Sequence, residues 1–461
     1  MGISSLGVGS SVLTQDVIDQ LKAADESQFV APLTKKISAE KSKSGQMDIV
    51  NALMDNLSES TGAIAEFGLF NTRTANASGT AVEVSANEGS DIQDFSITVT
   101  DLATKQIEQS GSFSSETDAI ATGSGQLQLS VGSSNFTFDY DNQTTLTNLK
   151  DEINKKAGTK VNASIVQIAS GDYRLFLSAV ETGTSQTISL TDVAGAGETL
   201  KSALTTEVSN VQTAQDASFT YNGQTITRES NTVSDLLSGV TLTLKEAGSS
   251  QVSVKQDVEG IEGKINSFVE KFNSAITELS KMTKSSQDES ERGVFSSEGT
   301  IKTMKRTLES MISTVGEGAG RLDDYGFSIN RDGTISFDKS VFEEKLTENP
   351  ENVQAFFSGG TYLESDGSSV ELTGAFDELK SIVDVYAKYN GSLDQLKTSF
   401  TNRISALEDQ QSLATQRLTA KYEIMAKRFS AYDAMISKIN NASTMFVQMA
   451  NAQLNAQNQL Q

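Results

Sequence analysis

From Ser392 to Gln461 the chain contains neither proline nor glycine, and Leu418, Tyr422, Met425, Phe429, Tyr432, Ile436 and Ile439 recur in alternating steps of four and three. That alternation is the heptad seam of a helix that lies against other helices. Upstream, Leu393, Leu396, Phe400, Ile404 and Leu407 carry the apolar stripe, Gln411 and Ala414 hold its register, and Phe446 and Ala450 extend it downstream. A helix over Ser392 to Ala450 is roughly 90 Å long at about 1.5 Å per residue. No small domain is that wide, so much of the helix must protrude or pair with other helices.

The N-terminal part supplies candidate partners. Met47, Val50, Met54, Leu57, Thr61 and Ile64 repeat the same alternation, and a shorter helix begins near Thr14 with Val17, Ile18 and Leu21 on one side. Thr14 stands at its N-cap, Asp16 and Asp19 lie near its positive end, and Pro32 marks the break between the two helices. Such stripes read as core or as intermolecular seam. Here length decides for the second, together with the uncharged Asn451–Gln461 end, which has little to bury against within one chain.

Between Arg73 and Gly260 the composition shifts to Thr, Ser, Val, Gly and Asn, with alternating runs at Phe95–Val99 and Leu127–Val131 that predict half-buried strands. Leu146, Leu149 and Ile153 predict one helix over Thr144–Lys156, and strands follow at Asn162–Ile168 and Tyr173–Leu177. Asn222-Gly223 predicts a tight hairpin because both positions need positive φ. The runs Ser134–Phe138 and Ala217–Tyr221 echo each other, which two small modules, one nested in the other, would explain. After this head the chain is helical again at Ile261–Phe272 and Ile301–Val315, then forms a hairpin around Asp332-Gly333. The region that begins near Gln46 thus resumes after the head, which is an insertion with adjacent connections.

Composition narrows the chemistry. At 461 residues several cores are expected, and 37% hydrophobic against 21% charged residues reads as globular. The net charge of −23 argues against nucleic acid and anionic membranes and leaves proteins as partners. The acid sits in the head, where 11 Lys+Arg oppose 23 Asp+Glu between Arg73 and Gly260, while Leu393–Gln461 carries 7 against 5. Cysteine and histidine are both absent. Their absence removes disulfides, thiolate metal sites, Cys nucleophiles, and the commonest general base and zinc ligand. The chain is therefore expected not to be an enzyme and to hold no cofactor or metal.

Asn330–Ile335 resembles the middle of a calcium loop, but Ser328 and Lys339 stand where its end ligands belong, so a hairpin turn is favoured. Asp139–Asn142 reads as a solvated turn. Met1–Asp25 lacks a basic start followed by a long apolar run and is expected to be neither a secretory signal nor a membrane span, and Leu6 occupies the position where a myristoylation motif after Gly2 needs Ser or Thr.

Lys421–Ile436, read as Lys-Tyr-Glu-Ile-Met-Ala-Lys-Arg-Phe-Ser-Ala-Tyr-Asp-Ala-Met-Ile, resembles the C-terminal hallmark of the bacterial flagellar filament cap family, also called hook-associated protein 2 or FliD. Gly2–Ser10 with Thr14–Leu21 is similar to its N-terminal signature, and Leu102, Ala103 and Gln106 fit its first head strand. Tyr221–Gly223 through Asn231–Val233 to Gly239–Leu242 is similar to a repeat of caps and some flagellins. Gly326–Ile329 with Asp332–Ile335 and Phe337-Asp338 agrees. The fold expected is multidomain α+β: a helical coiled-coil stalk built from both termini and an inserted β-rich head of two modules. Its divisions are 1–45 with 425–461 as terminal coiled coil, 46–72 with 262–424 as helical leg with a hairpin, 73–115 with 205–261 as β-rich head, and 116–204 as the nested module.

The resemblance implies an extracellular homo-oligomer at the flagellum tip, a pentamer with tetramer and hexamer as alternatives. It would retain exported flagellin and promote its folding and insertion, so that filament elongation and motility depend on it. Further partners implied are hook–filament junction proteins and a cytosolic export chaperone on the C-terminal helix, with export through the flagellar type III channel and neither nucleic-acid binding nor membrane insertion. Stalk and filament-tip contact would fall to Val17, Ile18, Leu21, Leu418, Tyr422, Met425, Phe429, Tyr432, Ile436, Ile439 and Phe446. The competing reading is an adhesin whose head grips host mucin or glycan. A flagellin or junction protein fits less well, because those lack the Lys421–Ile436 pattern.

Overall fold

The computed structural model describes residues 12, 14–193, 199–316, 318–389 and 391–458. The Gly2–Ser10 signature lies outside them. Helices α1 (Gln15–Phe29) and α2 (Ala31–Ala65) open the described chain, separated only by Val30, which keeps helical dihedrals. Pro32 is the second residue of α2, where its missing N–H falls among groups that have no helical acceptor anyway. Thr14 occupies the N-cap position of α1, although its side chain makes no capping bond.

The head follows, with β1 (Arg73–Ala77), β2 (Val82–Ala86), β3 (Gln93–Asp101), β4 (Ile107–Gln109), β5 (Gly125–Val131), β6 (Ser134–Tyr140), α3 (Leu146–Ala157), β7 (Val161–Ala169), β8 (Asp172–Ala179), β9 (Ile188–Val193), β10 (Ser209–Gln212), β11 (Ala217–Tyr221), β12 (Gln224–Arg228), β13 (Thr232–Leu237), β14 (Val240–Leu244) and β15 (Gly248–Gln256). Then come α4 (Val258–Thr283), α5 (Gly299–Met311), β16 (Phe327–Ile329), β17 (Ile335–Phe337), α6 (Lys339–Glu348), α7 (Pro350–Ser358), β18 (Gly360–Leu363), β19 (Ser369–Leu372), α8 (Ala375–Ala387) and α9 (Ser392–Asn458). The chain divides into two compact units, Phe67–Ile261 and Met1–Glu66 with Glu262–Gln461.

The head unit has two cores. In the first, sheet β1-β15-β3-β11-β12 and sheet β13-β14-β2 enclose Phe95, Ile97, Val99, Phe219, Leu242 and Val254. Pairing of Arg73 with Gln256 brings entry and exit strands side by side, as an insertion requires. The Asn222-Gly223 hairpin joins β11 to β12 with φ of 47° and 83°, the geometry its twist demands.

In the second core, sheets β10-β4-β8-β7 and β6-β5-β9 and helix α3 enclose Leu127, Leu129, Phe138, Ile153, Leu175 and Leu177. Thr145 and Asn148 cap α3 reciprocally, the Asn148 N–H donating to Thr145 Oγ1 at 3.2 Å and the Thr145 N–H to Asn148 Oδ1 at 3.0 Å. The echoed runs occupy different places, since β6 closes a hairpin with β5 whereas β11 opens one with β12. Alternating aromatic and Thr residues mark any half-buried strand, whatever its position in a module.

In the other unit the α2 stripe is fully buried, with Met47, Val50, Met54, Leu57 and Ile64 at 0% exposure. It packs on α8 and α9. An aromatic cluster joins α4, α7, α8 and the β16–β17 hairpin: the Phe268 and Phe376 rings lie 5.0 Å apart edge to face, and Phe357 stacks on Phe376 at 5.4 Å. Helix α5 ends at Met311, short of the expected Val315, and Ile312–Thr314 continue as a turn.

Candidate functional site: an antiparallel helical stalk

Helix α9 spans 67 residues, roughly 100 Å at about 1.5 Å per residue. Its first third is anchored, with Leu393 and Phe400 buried. Phe400 stacks near Phe295 at 6.2 Å and carries the Arg403 guanidinium 4.6 Å from its ring centre.

From this anchored third outward, a polar ladder joins α9 to α2 and α1. Lys397 pairs with Asp48 at 2.5 Å, Arg403 with Glu40 at 2.9 Å, Lys41 with Glu408 at 2.7 Å, Gln411 donates to Thr34 Oγ1 at 2.6 Å, and Lys421 pairs with Asp25 at 2.7 Å. Apart from the neighbouring rungs at Glu40 and Lys41, numbers fall on one side as they rise on the other, so the helices run antiparallel. Lys43 bridges Glu40 at 3.0 Å and Glu298 at 2.7 Å. Burial works against its charged form, but the two carboxylates outweigh burial and raise its pKa.

Near the far end of α1 the seam closes on a small core in which Ile18, Leu418, Tyr422 and Ala426 are buried and Val30, Met425 and Phe429 pack against them. The Tyr422 hydroxyl lies 2.8 Å from both the Leu21 carbonyl and the Asp25 carboxylate, which therefore share its proton. Hydrogen bonds from Lys421 and Tyr422 hold Asp25 below its ordinary pKa, and Asp25 in turn raises Lys421. Burial raises the Tyr422 hydroxyl, helped by the neighbouring carboxylate.

The expected contact residues divide at this point. Ile18, Leu418 and Tyr422 come together, with Met425 and Phe429 beside them, and Val17 is half-buried. Leu21 is 44% exposed, Tyr432 57%, Ile439 60% and Phe446 68%, while Ile436 is half-buried. The structure does not bring these into the α1–α9 core. Sequence reasoning missed Ala426, which is better buried than Met425, and Asp433, which is only 2% exposed. The signal lay in the four-residue row Leu418, Tyr422, Ala426, since a straight helix returns a side chain to one face at about 3.6 rather than 3.5 residues.

Of the carboxylates weighed for metal binding, Asp141 and Asp332 serve as turn fasteners, while Asp139 lies in β6 and accepts a hydrogen bond from the Gln126 side chain. Asp141 accepts the Gln143 and Thr144 N–H groups, each at 2.9 Å, and Asp332 accepts the Thr334 N–H at 3.0 Å. No described helix is long and apolar enough to cross a membrane.

Comparison with known proteins agrees with this architecture. The family descriptions "Flagellar hook-associated protein 2 N-terminus" and "Flagellar hook-associated protein 2 C-terminus" match residues 10–106 and 214–441, together well over half the chain. The flagellar hook-associated protein 2 of Campylobacter jejuni is 28% identical over 425 residues, covering 80% of this chain and 66% of that one. That of Helicobacter pylori (strain ATCC 700392 / 26695) is 31% identical over 257 residues, 53% of this chain and 38% of that one. The chain thus spans less than two thirds of the length of these two relatives. The crystal structure of the D1-D2-D3 domains of the flagellar cap protein FliD from Escherichia coli superposes with a TM-score of 0.60 at 23% identity, over 77% of this chain and 99% of that one. At that identity the likeness shows a shared fold. With both terminal regions matched to the same family, the chain belongs to the flagellar hook-associated protein 2, or FliD, family.

Proposed function

We propose that this protein caps the distal end of the bacterial flagellar filament, where it self-assembles, retains exported flagellin and promotes its folding and insertion. One observation carries the reading: the stalk seam is closed from Leu418 to Ala426, stays partly covered as far as the half-buried Ile436, and beyond it Ile439, Phe446 and Leu454 are apolar and uncovered. A helix that keeps large apolar residues exposed over several turns is built to dock on other subunits.

The working division is a terminal coiled coil of 1–45 with 425–461, a leg of 46–72 with 262–424, and a head of two modules, supported by the two separate head cores. The seam between the modules is best drawn where strand pairing changes, because β4 and β10 belong to the sheet of the nested core. Contact residues on the stalk are Val17, Ile18, Leu21, Leu418, Tyr422, Met425, Phe429, Tyr432, Ile436, Ile439 and Phe446.

The assembly is a homo-oligomer, a pentamer by family expectation with tetramers and hexamers as alternatives. Flagellin and the hook–filament junction proteins are its partners, and a cytosolic chaperone covers the C-terminal helix before export through the flagellar type III channel to the extracellular tip. Its role is structural rather than catalytic. The adhesin alternative gains no support from the relatives.

The test is complementation of a strain lacking the gene with Phe446→Asp. A negative charge placed on the uncovered seam is expected to abolish motility and leave flagellin monomers in the medium. Full-length filaments and normal swimming would sink the reading.

A further inference from the structure

Edge strands of a sheet present unpaired backbone groups, and proteins commonly blunt them with charge. The head follows this rule at six of its edges: β1 carries Arg73, β2 Glu83, β6 Asp139, β9 Asp192, β12 Arg228 and β13 Asp235. Two edges break it. Strand β7 reads Val-Asn-Ala-Ser-Ile-Val-Gln-Ile-Ala and β10 reads Ser-Asn-Val-Gln, without a charge or a proline between them. These two unguarded edges are opposite edges of one sheet, β10-β4-β8-β7.

The half of β7 nearer the core is closed. The Asn154 side-chain amide donates to the Ala163 carbonyl and accepts the Ala163 N–H, both at 2.8 Å, so it stands in for a neighbouring strand. Outward backbone groups recur at every second residue of an antiparallel strand, which leaves Ile165 and Gln167 facing out. Among the described residues neither makes a backbone hydrogen bond on that side. This open half also overhangs the core: Val166 is 41% and Ile168 53% exposed, and on the opposite edge Val211 is 51% exposed.

All three pairings in the sheet are antiparallel, so its outermost strands run in opposite directions. A second copy of β10 laid against β7 would therefore be antiparallel to it and would continue the sheet. From these edges we propose that the head modules of neighbouring copies join by pairing β7 of one with β10 of the next. The contact is head-to-tail, so repetition closes a ring when the rotation per copy allows it. The inference rests on the self-assembling reading above and adds the surface that assembly uses.

The chain has no native cysteine, which makes a cross-linking test clean. The full chain carrying both Ile168→Cys and Val211→Cys is treated, under conditions where the unmodified chain is oligomeric, with a bismaleimide of shorter reach than the sheet is wide. Three strand spacings of about 4.8 Å separate the two edges, so the reagent cannot bridge them within one copy. The double variant is expected to give a ladder of covalent oligomers, and each single variant alone to stay uncross-linked. In parallel, Gln167→Pro, which removes an outward donor at a site where an edge strand tolerates proline, is expected to shift the solution mass from oligomer toward monomer. Cross-linking of Ile168→Cys to itself would replace this pairing with a two-fold contact of β7 on β7 and overturn the proposal. An oligomer that persists without a ladder would overturn it while leaving the cap reading intact. An unmodified chain that stays monomeric at every concentration would overturn both.

Discussion

Two stretches of the same helix, Leu418–Ala426 and Tyr432–Leu454, are both rich in apolar residues and differ in how far those residues are covered. In the first, Leu418, Tyr422 and Ala426 are buried against Ile18 of α1. In the second, Tyr432, Met435, Ile439, Met445, Phe446, Val447, Met449 and Leu454 are all at least 55% exposed. The difference lies in what faces the helix. Periodicity says which face of a helix seeks a partner; it does not say whether that partner belongs to the same chain.

The comparison breaks most visibly if the closed half is opened. Leu418→Ala removes a buried side chain from a core of only a few residues and is expected to cost about 2–5 kcal/mol locally, the usual range for such a truncation. Hydrogen exchange should show α1 and the facing turns of α9 losing protection while the two head cores keep theirs. Unchanged protection of α1 would mean that the polar ladder, and not the small core, holds it.

Much of this was legible in the sequence, and the failures have physical causes. The α2 stripe from Met47 to Ile64 was read residue by residue, because every member is buried by helices on one side. Asn222-Gly223 was legible since few other pairs accept two positive φ values. Helix α8 was not read, although Phe376, Leu379 and Val383 sit at the helical spacing that revealed α3. Strands β4 and β10 were illegible because three or four residues show no alternation, and their place comes from pairing with distant partners. At the stalk the pattern brings Ile18, Leu418 and Tyr422 to one face, while the burial of Ala426 and Asp433 does not follow from a stripe of large apolar residues.

A smaller effect sharpens the closed half. Asp25 is held below its ordinary pKa of 3.8 by Lys421 and Tyr422, so its contribution is fully present above about that pH and fades as pH falls through the lowered value. Lys421 is raised above its ordinary 10.5, so its share is present below that pH and fades as pH rises through the raised value. Contact between α1 and α9 should therefore be pH-independent between these limits and loosen outside them. Asp25→Asn should flatten the acid limb and leave helicity near neutrality almost unchanged, as followed by circular dichroism against pH. An acid limb that survives the substitution would mean that Asp25 does not govern it.

The smallest expected effect is the one that isolates the uncovered half. In the single chain Phe446 is 68% exposed, so Phe446→Asp removes little buried surface there, and surface changes of this kind usually fall within about 0.5 kcal/mol. The melting temperature of the dilute chain should match that of the unmodified protein. Any concentration-dependent gain in helix stability, which an assembling stalk must show by mass action, should disappear in the variant. Loss of stability in the dilute chain would mean that the apolar run already has a partner within one copy. A preserved concentration dependence would mean that assembly uses another surface, and the pairing of head strands would then have to carry it alone.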